Sequence, residues 1–394
     1  MSASFYDLLK FAKTGIASPE MTAYDKLKAL AMCKGGFPVA TLTGIPPLTF
    51  QSDGTPLTAW SISGNMTQSG TPSSSSPIYP SEMGEKTGNL FDKSQARSTS
   101  NVTVTQIENG IHAEGKFYFE VPTDIESGSY YLSWTKQTES GTSAIYMTFV
   151  YTDDTVSSSV YSGSFTLEKT VKLIRVYVST GSSVSVNITN IMLNSGNQAL
   201  PYEPYGYKIP ITCGGNTYNV FTTAPLRKIG PHADYEQLSV GEVRKIRKLV
   251  LTGQETWYVW NLQSETLQRF YMIVDVSDAS EYTTEGVCSH FRVTHSNSVE
   301  SMRFSLDRTN RYTQSLFVIE RARLSTVDTA GFKAYLAQQY QNGTPVTVWY
   351  VLATEQTETV TAPTITPAKG ANTLTVGTTL PPSEVSITGH IKSN

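Results

Sequence analysis

Turn-forming residues interrupt positions 89–205 at roughly ten-residue intervals, and apolar side chains alternate with polar ones between them. A chain cut that finely has no room for long helices, and short pieces of period two are half-buried strands. Candidate strands are 101–106, 115–121, 129–136, 143–151, 158–166, 170–179 and 183–193. The alternation reads through Val102 and Val104, through Tyr130, Leu132 and Trp134, and through Val171, Leu173, Val176 and Val178 with one slip. Such pieces in series predict a β-sandwich or jelly roll over 89–205.

A second β-rich unit is expected over 206–360, with strands at 246–252, 256–261, 268–276, 286–293, 301–306, 315–320 and 345–353. One helix interrupts it: Asp328 caps it, Phe332, Tyr335, Leu336 and Tyr340 form its face, and Asn342-Gly343 ends it. The helix returns straight into Val346, Val348, Tyr350 and Leu352, which packs it beside the second sandwich. Residues 1–36 read as two short amphipathic helices with Phe5, Leu8, Leu9 and Leu27 on their apolar faces. Helices that small need a docking surface, so the segment is expected to be an attachment element. Residues 37–88 read as a small β module with a Ser/Pro tether, and 361–394 as a Pro/Thr-rich tail in which 373–376 can add one strand to this or another subunit's sheet. The expected fold class is therefore mainly β, with two sandwich or jelly-roll-like domains in series, a short N-terminal helical segment and one further helix.

Charged residues are 16% of the chain, below the ~25% usual for soluble domains, and hydroxyl and aromatic side chains fill the gap. The net charge of −3 gives no basic field, so nucleic acid is not an expected partner. No apolar run reaches the ~18 residues of a membrane span, so no membrane insertion is expected. The first residues lack the basic-then-apolar order of a secretory signal, which predicts synthesis in a cytoplasm. Cys33, Cys213 and Cys288 are far apart and odd in number, the pattern of buried reduced thiols rather than of a disulfide framework. There is no phosphate loop, nucleophile elbow, His-Glu-x-x-His, Cys-x-x-Cys or dinucleotide fingerprint, so neither an enzyme nor a cofactor is expected.

The remaining clusters each have two readings. Cys288-Ser289-His290 with His295 could hold a metal or a nucleophile, but strand geometry turns 295 away, leaving a polar strand as the plainer reading. Asp153-Asp154 sits in a loop among hydroxyls, as a solvated turn or a calcium site. The basic run around Arg244 and Arg247 enters an apolar strand, as an edge or subunit contact or as a plain solvated strand. Tyr130, Tyr131, Trp134, Tyr146, Tyr151 and Tyr161 in the first sandwich, with Trp257, Tyr258 and Trp260 in the second, either fill cores or stack on sugar C–H faces. Of these, Tyr130, Tyr131, Trp134, Tyr151, Trp257 and Trp260 are the glycan-contact candidates. Alternation requires that one of Tyr130 and Tyr131 face outward.

Several segments resemble a module of tail proteins from bacteriophages and prophages of Gram-positive bacteria. They are Thr43-Gly44-Ile45-Pro46-Pro47-Leu48-Thr49-Phe50, Ser63-Gly64-Asn65, Gly70-Thr71-Pro72, Asn89-Leu90-Phe91-Asp92, Ile191-Met192-Leu193 running to Pro201-Tyr202-Glu203-Pro204-Tyr205, and Arg247-Lys248-Leu249-Val250-Leu251-Thr252-Gly253. The resemblance is discontinuous from about 41 to 260, and its motifs are turns rather than active-site signatures. It implies a virion protein of the tail tip or baseplate, assembled in the host bacterial cytoplasm and working as a homo-oligomer with other tail proteins. A trimer is favoured, since a closed ring buries the edges of many strands. The expected partner is host cell-surface polysaccharide, met through carbohydrate-binding-like sandwiches. The alternatives are a structural virion protein without ligand (collar, connector, head decoration or fibre) and a glycan depolymerase.

Overall fold

Val102–Ile107 and Gly110–Gly115 form a tight antiparallel hairpin, because Glu108-Asn109 turns the chain with Asn109 at φ 52°. Asn is among the few non-glycine residues that tolerate that left-handed conformation. The hairpin edges a five-stranded sheet in the order Gly163–Leu167, Gly128–Ser140, Val184–Ser195, Gly110–Gly115, Val102–Ile107. A three-stranded sheet, Tyr146–Tyr151, Val171–Tyr177 and Tyr118–Ile125, completes the sandwich. Phe119, Val121, Met147, Phe149, Ile174 and Val176 on the smaller sheet pack with Ile111, Leu132, Val186, Ile188 and Leu193 on the larger. Both edges of the small sheet are closed by single bridges, Arg97 to Glu120 on one side and Val156 and Val160 to Val150 and Met147 on the other. Unpaired strand edges are aggregation sites, and these bridges blunt them.

The structure, a computed structural model, describes residues 48–260, 264–274, 286–294, 302–307, 314–358, 362–377 and 385–388. It is mainly β, as the sequence predicts. The chain divides into two units, one of Gly84–Lys208 with Phe221–Ala224, and the other of the chain up to Met83, Ile209–Val220 and Pro225 onward. The first is the sandwich just described. Asn89 closes it where the chain enters and leaves. Its Nδ2 donates to the Ile191 and Glu203 carbonyls at 2.8 and 2.9 Å, and its Oδ1 accepts from the Phe91 and Leu193 amides at 3.0 and 3.1 Å. Asn89 is 2% exposed, so each of those groups would otherwise lie buried without a partner.

The second unit is built around a six-stranded sheet in the order Gly286–Cys288, Thr347–Glu358, Gly241–Val250, Tyr235–Gln237, Ala59–Ser63, Val385–Thr388. At one end it packs with a five-stranded sheet (Tyr258–Trp260, Leu267–Ile273, Gln314–Glu320, Arg303–Asp307, Arg292–Val293) and with helix Thr329–Gln341. Asp328 caps that helix, accepting from the Gly331 amide at 2.9 Å. Phe332, Tyr335 and Leu336 are buried, and Phe332 stacks on Phe270 at 4.4 Å. Tyr340, expected on the apolar face, is 50% exposed, one turn beyond the ring cluster. Gly253, at φ +86°, turns against this helix, and a Cβ there would lie 2.4 Å from the Lys333 carbonyl oxygen. A second core at the other end joins Trp60 and Ile62 to Ile209, Ile211 and Leu374.

These pairings redraw the boundaries expected from the sequence. Leu48–Asp53 pairs with Lys369–Val376, and Ala59–Ser63 lies between Tyr235–Gln237 and Val385–Thr388. Residues 48–83 and 362–388 therefore belong to the same unit as 225–358 rather than forming a separate module and tail. Nor is the Ser/Pro stretch a free tether: the Ile78 amide donates to the Ser289 carbonyl at 2.8 Å, and Tyr79 OH to the Pro345 carbonyl at 2.7 Å. Turn residues mark where strands end but carry no information on distant partners, which explains the difference. The N-terminal helices with Phe5, Leu8, Leu9 and Leu27, together with Cys33 and His295, lie outside the described residues.

Buried charge holds the second unit's central strands. Strand Gly241–Val250 bulges between Arg244 and Ile246, freeing two amides from the ladder. Asp234 takes both, accepting from Lys245 and Ile246 at 2.7 and 2.9 Å, and also from the Arg227 amide at 3.1 Å and Arg244 Nη1 at 3.3 Å. Arg244 pairs with Glu242 as well. Glu82 joins Arg227, Lys248 and the Trp349 indole. Burial alone would raise the Glu82 pKa, but Arg227 and Lys248 hold it below the ordinary value. Glu236 differs: it is fully buried, opposite Glu242 in the hairpin, and neither carboxyl oxygen has a hydrogen-bond partner. Burial pushes its pKa up to about 8, against the pull of Arg244.

Two outcomes follow from these buried groups. Asn89→Ala should lower unfolding free energy by roughly 2–3 kcal/mol by orphaning buried amides, read as a lower urea midpoint at unchanged slope. For Glu236, the folded pKa lies above the unfolded one, so its contribution is intact below the ordinary carboxyl range and is lost as pH rises toward about 8. Glu236→Gln should flatten the fall in stability across that window in urea titrations. Equal slopes in the two proteins would contradict the assignment.

Candidate functional site: outward aromatic faces

Strict alternation in the small sheet of the sandwich sends Phe119, Met147 and Val176 inward and their neighbours outward. The register pairs Tyr146 with Tyr177 and Tyr177 with Tyr118, so three tyrosines stand side by side on the outer face. Tyr146 and Tyr177 stack at 4.4 Å with 9° between planes, and Tyr118 lies 5.0 Å from Tyr177. Tyr161 extends the row, 5.7 Å from Tyr146 and 62% exposed. Arg175, next along its strand, holds its guanidinium 5.1 Å over the Tyr118 ring and meets Glu120 at 3.2 Å.

Geometry determines what this row can offer a ligand. Rings stacked on one another spend their faces internally and present edges and hydroxyls outward. Tyr161, at the end, keeps a ring face open to solvent. Burial, then the neighbouring Tyr177 and Tyr161, push the Tyr146 phenol up, so it stays a neutral donor and acceptor in the physiological range. Aromatic edges, one open face, a row of hydroxyls and an Arg–Glu pair together match the C–H faces and hydroxyls of a sugar chain.

A second, smaller aromatic face lies on the five-stranded sheet of the other unit. Tyr258 stacks on its cross-strand partner Tyr271 at 5.0 Å, Trp260 meets Tyr271 edge-on at 6.1 Å, and Arg269 lies 5.4 Å over Trp260.

The glycan-contact candidates read from the sequence do not assemble into one site. Tyr130 is 7% exposed, its hydroxyl donating to the Glu126 carbonyl at 2.8 Å, and Tyr151 is equally buried. Trp257 is a core ring wedged edge-on against Phe317 and Phe332. None of these three has a face for a ligand, because large aromatics on inward positions are what fill a sandwich core. Trp134 packs half-buried on the first core. Tyr131 is half-buried in the five-stranded sheet, so of Tyr130 and Tyr131 the latter is the outward one. Trp260 alone joins an outward face. Tyr118, Tyr177, Arg175 and Tyr271 were missed. The available signal was a tyrosine at the start or end of three strictly alternating strands, and only strand pairing shows that these ends coincide.

The other candidates are also relocated. Arg244 is buried among carboxylates of its own chain, while Arg247 is exposed on strand Gly241–Val250, opposite Tyr350 and beyond the Gly241–Val243 stretch that pairs with Tyr235–Gln237. Asp153 and Asp154 are engaged by Lys169 and Lys172, each at 2.6 Å. The Lys169 hydrogen bond, with those from Thr155, holds Asp153 well below the usual carboxylate range. Cys288, Ser289 and His290 are fully buried. Ser289 Oγ lies 2.8 Å from His290 Nδ1 and accepts from the Thr347 amide at 2.9 Å. Burial pushes the Cys288 thiol up to about 12 and His290 down to about 4. An inert thiol and a neutral imidazole without solvent access form part of the core. Among the described residues no group of three or more His, Cys, Asp or Glu is placed to hold a metal ion, and no helix is long and apolar enough to cross a membrane.

No family model matches the chain, and no curated protein matches it. Among solved structures, the N-terminal CBM22-1-CBM22-2 tandem domain of Xyn10C from Paenibacillus barcinonensis aligns with a TM-score of 0.22 and 8% identity, over 78% of this chain and 99% of that one.

Because lysines occupy both carboxylates of the 153–154 loop, calcium and EDTA should leave the thermal midpoint unchanged. A calcium-dependent rise would show that an ion displaces the lysines.

Proposed function

We propose that this chain is a bacteriophage virion protein of the tail tip or baseplate, and that its sandwich binds host-surface polysaccharide without cleaving it. The virion assignment is supported by the tail-protein resemblance of segments such as Asn89-Leu90-Phe91-Asp92 and Arg247-Lys248-Leu249-Val250-Leu251-Thr252-Gly253. The observation that carries the binding reading is the outward row Tyr118, Tyr177, Tyr146 and Tyr161, ending in an open ring. One such shallow site binds weakly, and several copies in a homo-oligomer raise the effective affinity by linking the binding events. A trimer presenting three rows is the form favoured here.

A ligand-free collar or connector is the second reading. The mutual stacking of Tyr146 and Tyr177 favours it, since those faces serve the protein itself. The two readings part in a binding assay with purified Gram-positive cell-wall polysaccharides on a sensor surface. The full chain should bind, and Tyr161→Ala should weaken binding about tenfold, the equivalent of ~1.4 kcal/mol for one lost stacking face. No binding by the oligomer at high concentration favours the connector. Release of free oligosaccharide from the surface would instead indicate a depolymerase.

A further inference from the structure

Phe117 immediately precedes strand Tyr118–Ile125 and is held in an unfavourable backbone conformation, φ 70°. Among the described residues the other non-glycine positions with positive φ are Asn109, Asp154, Asn190 and Met302. Asn and Asp tolerate this region through local hydrogen bonds, and Met302 is buried at 9% exposure. Phe117 has neither excuse, being a bulky aromatic that is 40% exposed.

The pleat explains what the conformation achieves. Tyr118 faces outward and Phe119 inward, so a regular strand would turn Phe117 inward. Positive φ breaks the pleat at that one residue and leaves it 40% exposed. The backbone is clamped there: the Phe117 carbonyl accepts from the Val178 amide at 2.7 Å and from the Ser179 amide at 3.4 Å, and its own amide donates to Ser179 Oγ at 3.2 Å. Ser179 is 1% exposed, which fixes the clamp to the core. Val178 and Ser179 directly follow Tyr177, so Phe117 lies one step beyond the tyrosine row at the same end of the sheet. Its ring has no aromatic partner among the described residues.

We infer that Phe117 is a further ligand-contacting aromatic of the polysaccharide site, held out of the pleat to offer an open ring face beside the tyrosine row. The inference rests on the proposed glycan-binding role. The ring is 40% exposed on strained backbone and has no intramolecular ring partner among the described residues, and strain of this kind persists where a function uses it.

Glycine separates function from stability here, because it adopts positive φ freely and keeps all three clamp hydrogen bonds. Wild type, Phe117→Gly and Phe117→Tyr are compared as full chains on immobilised Gram-positive cell-wall polysaccharides, with thermal melts in parallel. Phe117→Gly should bind about tenfold more weakly with a thermal midpoint at or above wild type, while Phe117→Tyr keeps wild-type binding. Unchanged binding by Phe117→Gly overturns this inference and leaves the glycan reading standing. A fall in the Phe117→Gly melting point makes the residue structural and likewise overturns it. Wild type that binds none of the polysaccharides removes the glycan reading, and this inference with it.

Discussion

The two-residue period of the small sheet is the constraint from which the surface chemistry of the sandwich follows. Phe119, Met147 and Val176 must all face the larger sheet, and a one-residue slip in any strand would expose its whole apolar set. Burial therefore fixes the register. Once the register is fixed, Tyr118, Tyr177 and Tyr146 have one place to stand, in a row on the opposite face. The outward row is thus a by-product of core packing, and its chemistry is set by the choice of side chain. It is also rigid, since each ring is braced by its neighbour and Arg175 is tied to Glu120.

Polar groups inside the two units do a different task, closing the places where regular pairing fails. Asn89 seals the entry and exit of the sandwich, and Asp234 takes the amides that a bulge releases in Gly241–Val250. Glu255 does the same in the turn after Leu251, accepting from the Thr252 and Gly253 amides at 2.6 and 2.9 Å. Side chain to main chain hydrogen bonds at Asn89 and Glu255 thus fasten both folds at their irregular points. Glu236 is the exception, a buried carboxyl with no closing role, kept neutral by its surroundings.

Strands and helix were legible wherever the signal was local. Alternation found most strands of the sandwich, and the Asp328 cap with Asn342-Gly343 bracketed the helix. Strand Gly110–Gly115 does not stand out by alternation, because its glycine ends and polar middle look like loop. What was not legible was pairing across long separations. Nothing near residue 60 says that its strand lies beside 385–388, so a single unit read as three segments. The site was lost for the same reason. The conspicuous aromatics Tyr130, Tyr151 and Trp257 are core residues, while the outward row is assembled from three strands far apart in sequence. Phe117 was invisible for a further reason: its exposure comes from one backbone angle, which no side-chain pattern records.

The outward row predicts a particular contact, and a crystal structure of the protein bound to an oligosaccharide from Gram-positive cell wall examines it most directly. A pyranose ring lying against Tyr161, with its hydroxyls on the edges of Tyr146 and Tyr177, is the predicted arrangement. Sugar seated on the five-stranded sheet of the sandwich, with the tyrosine row bare, would contradict it.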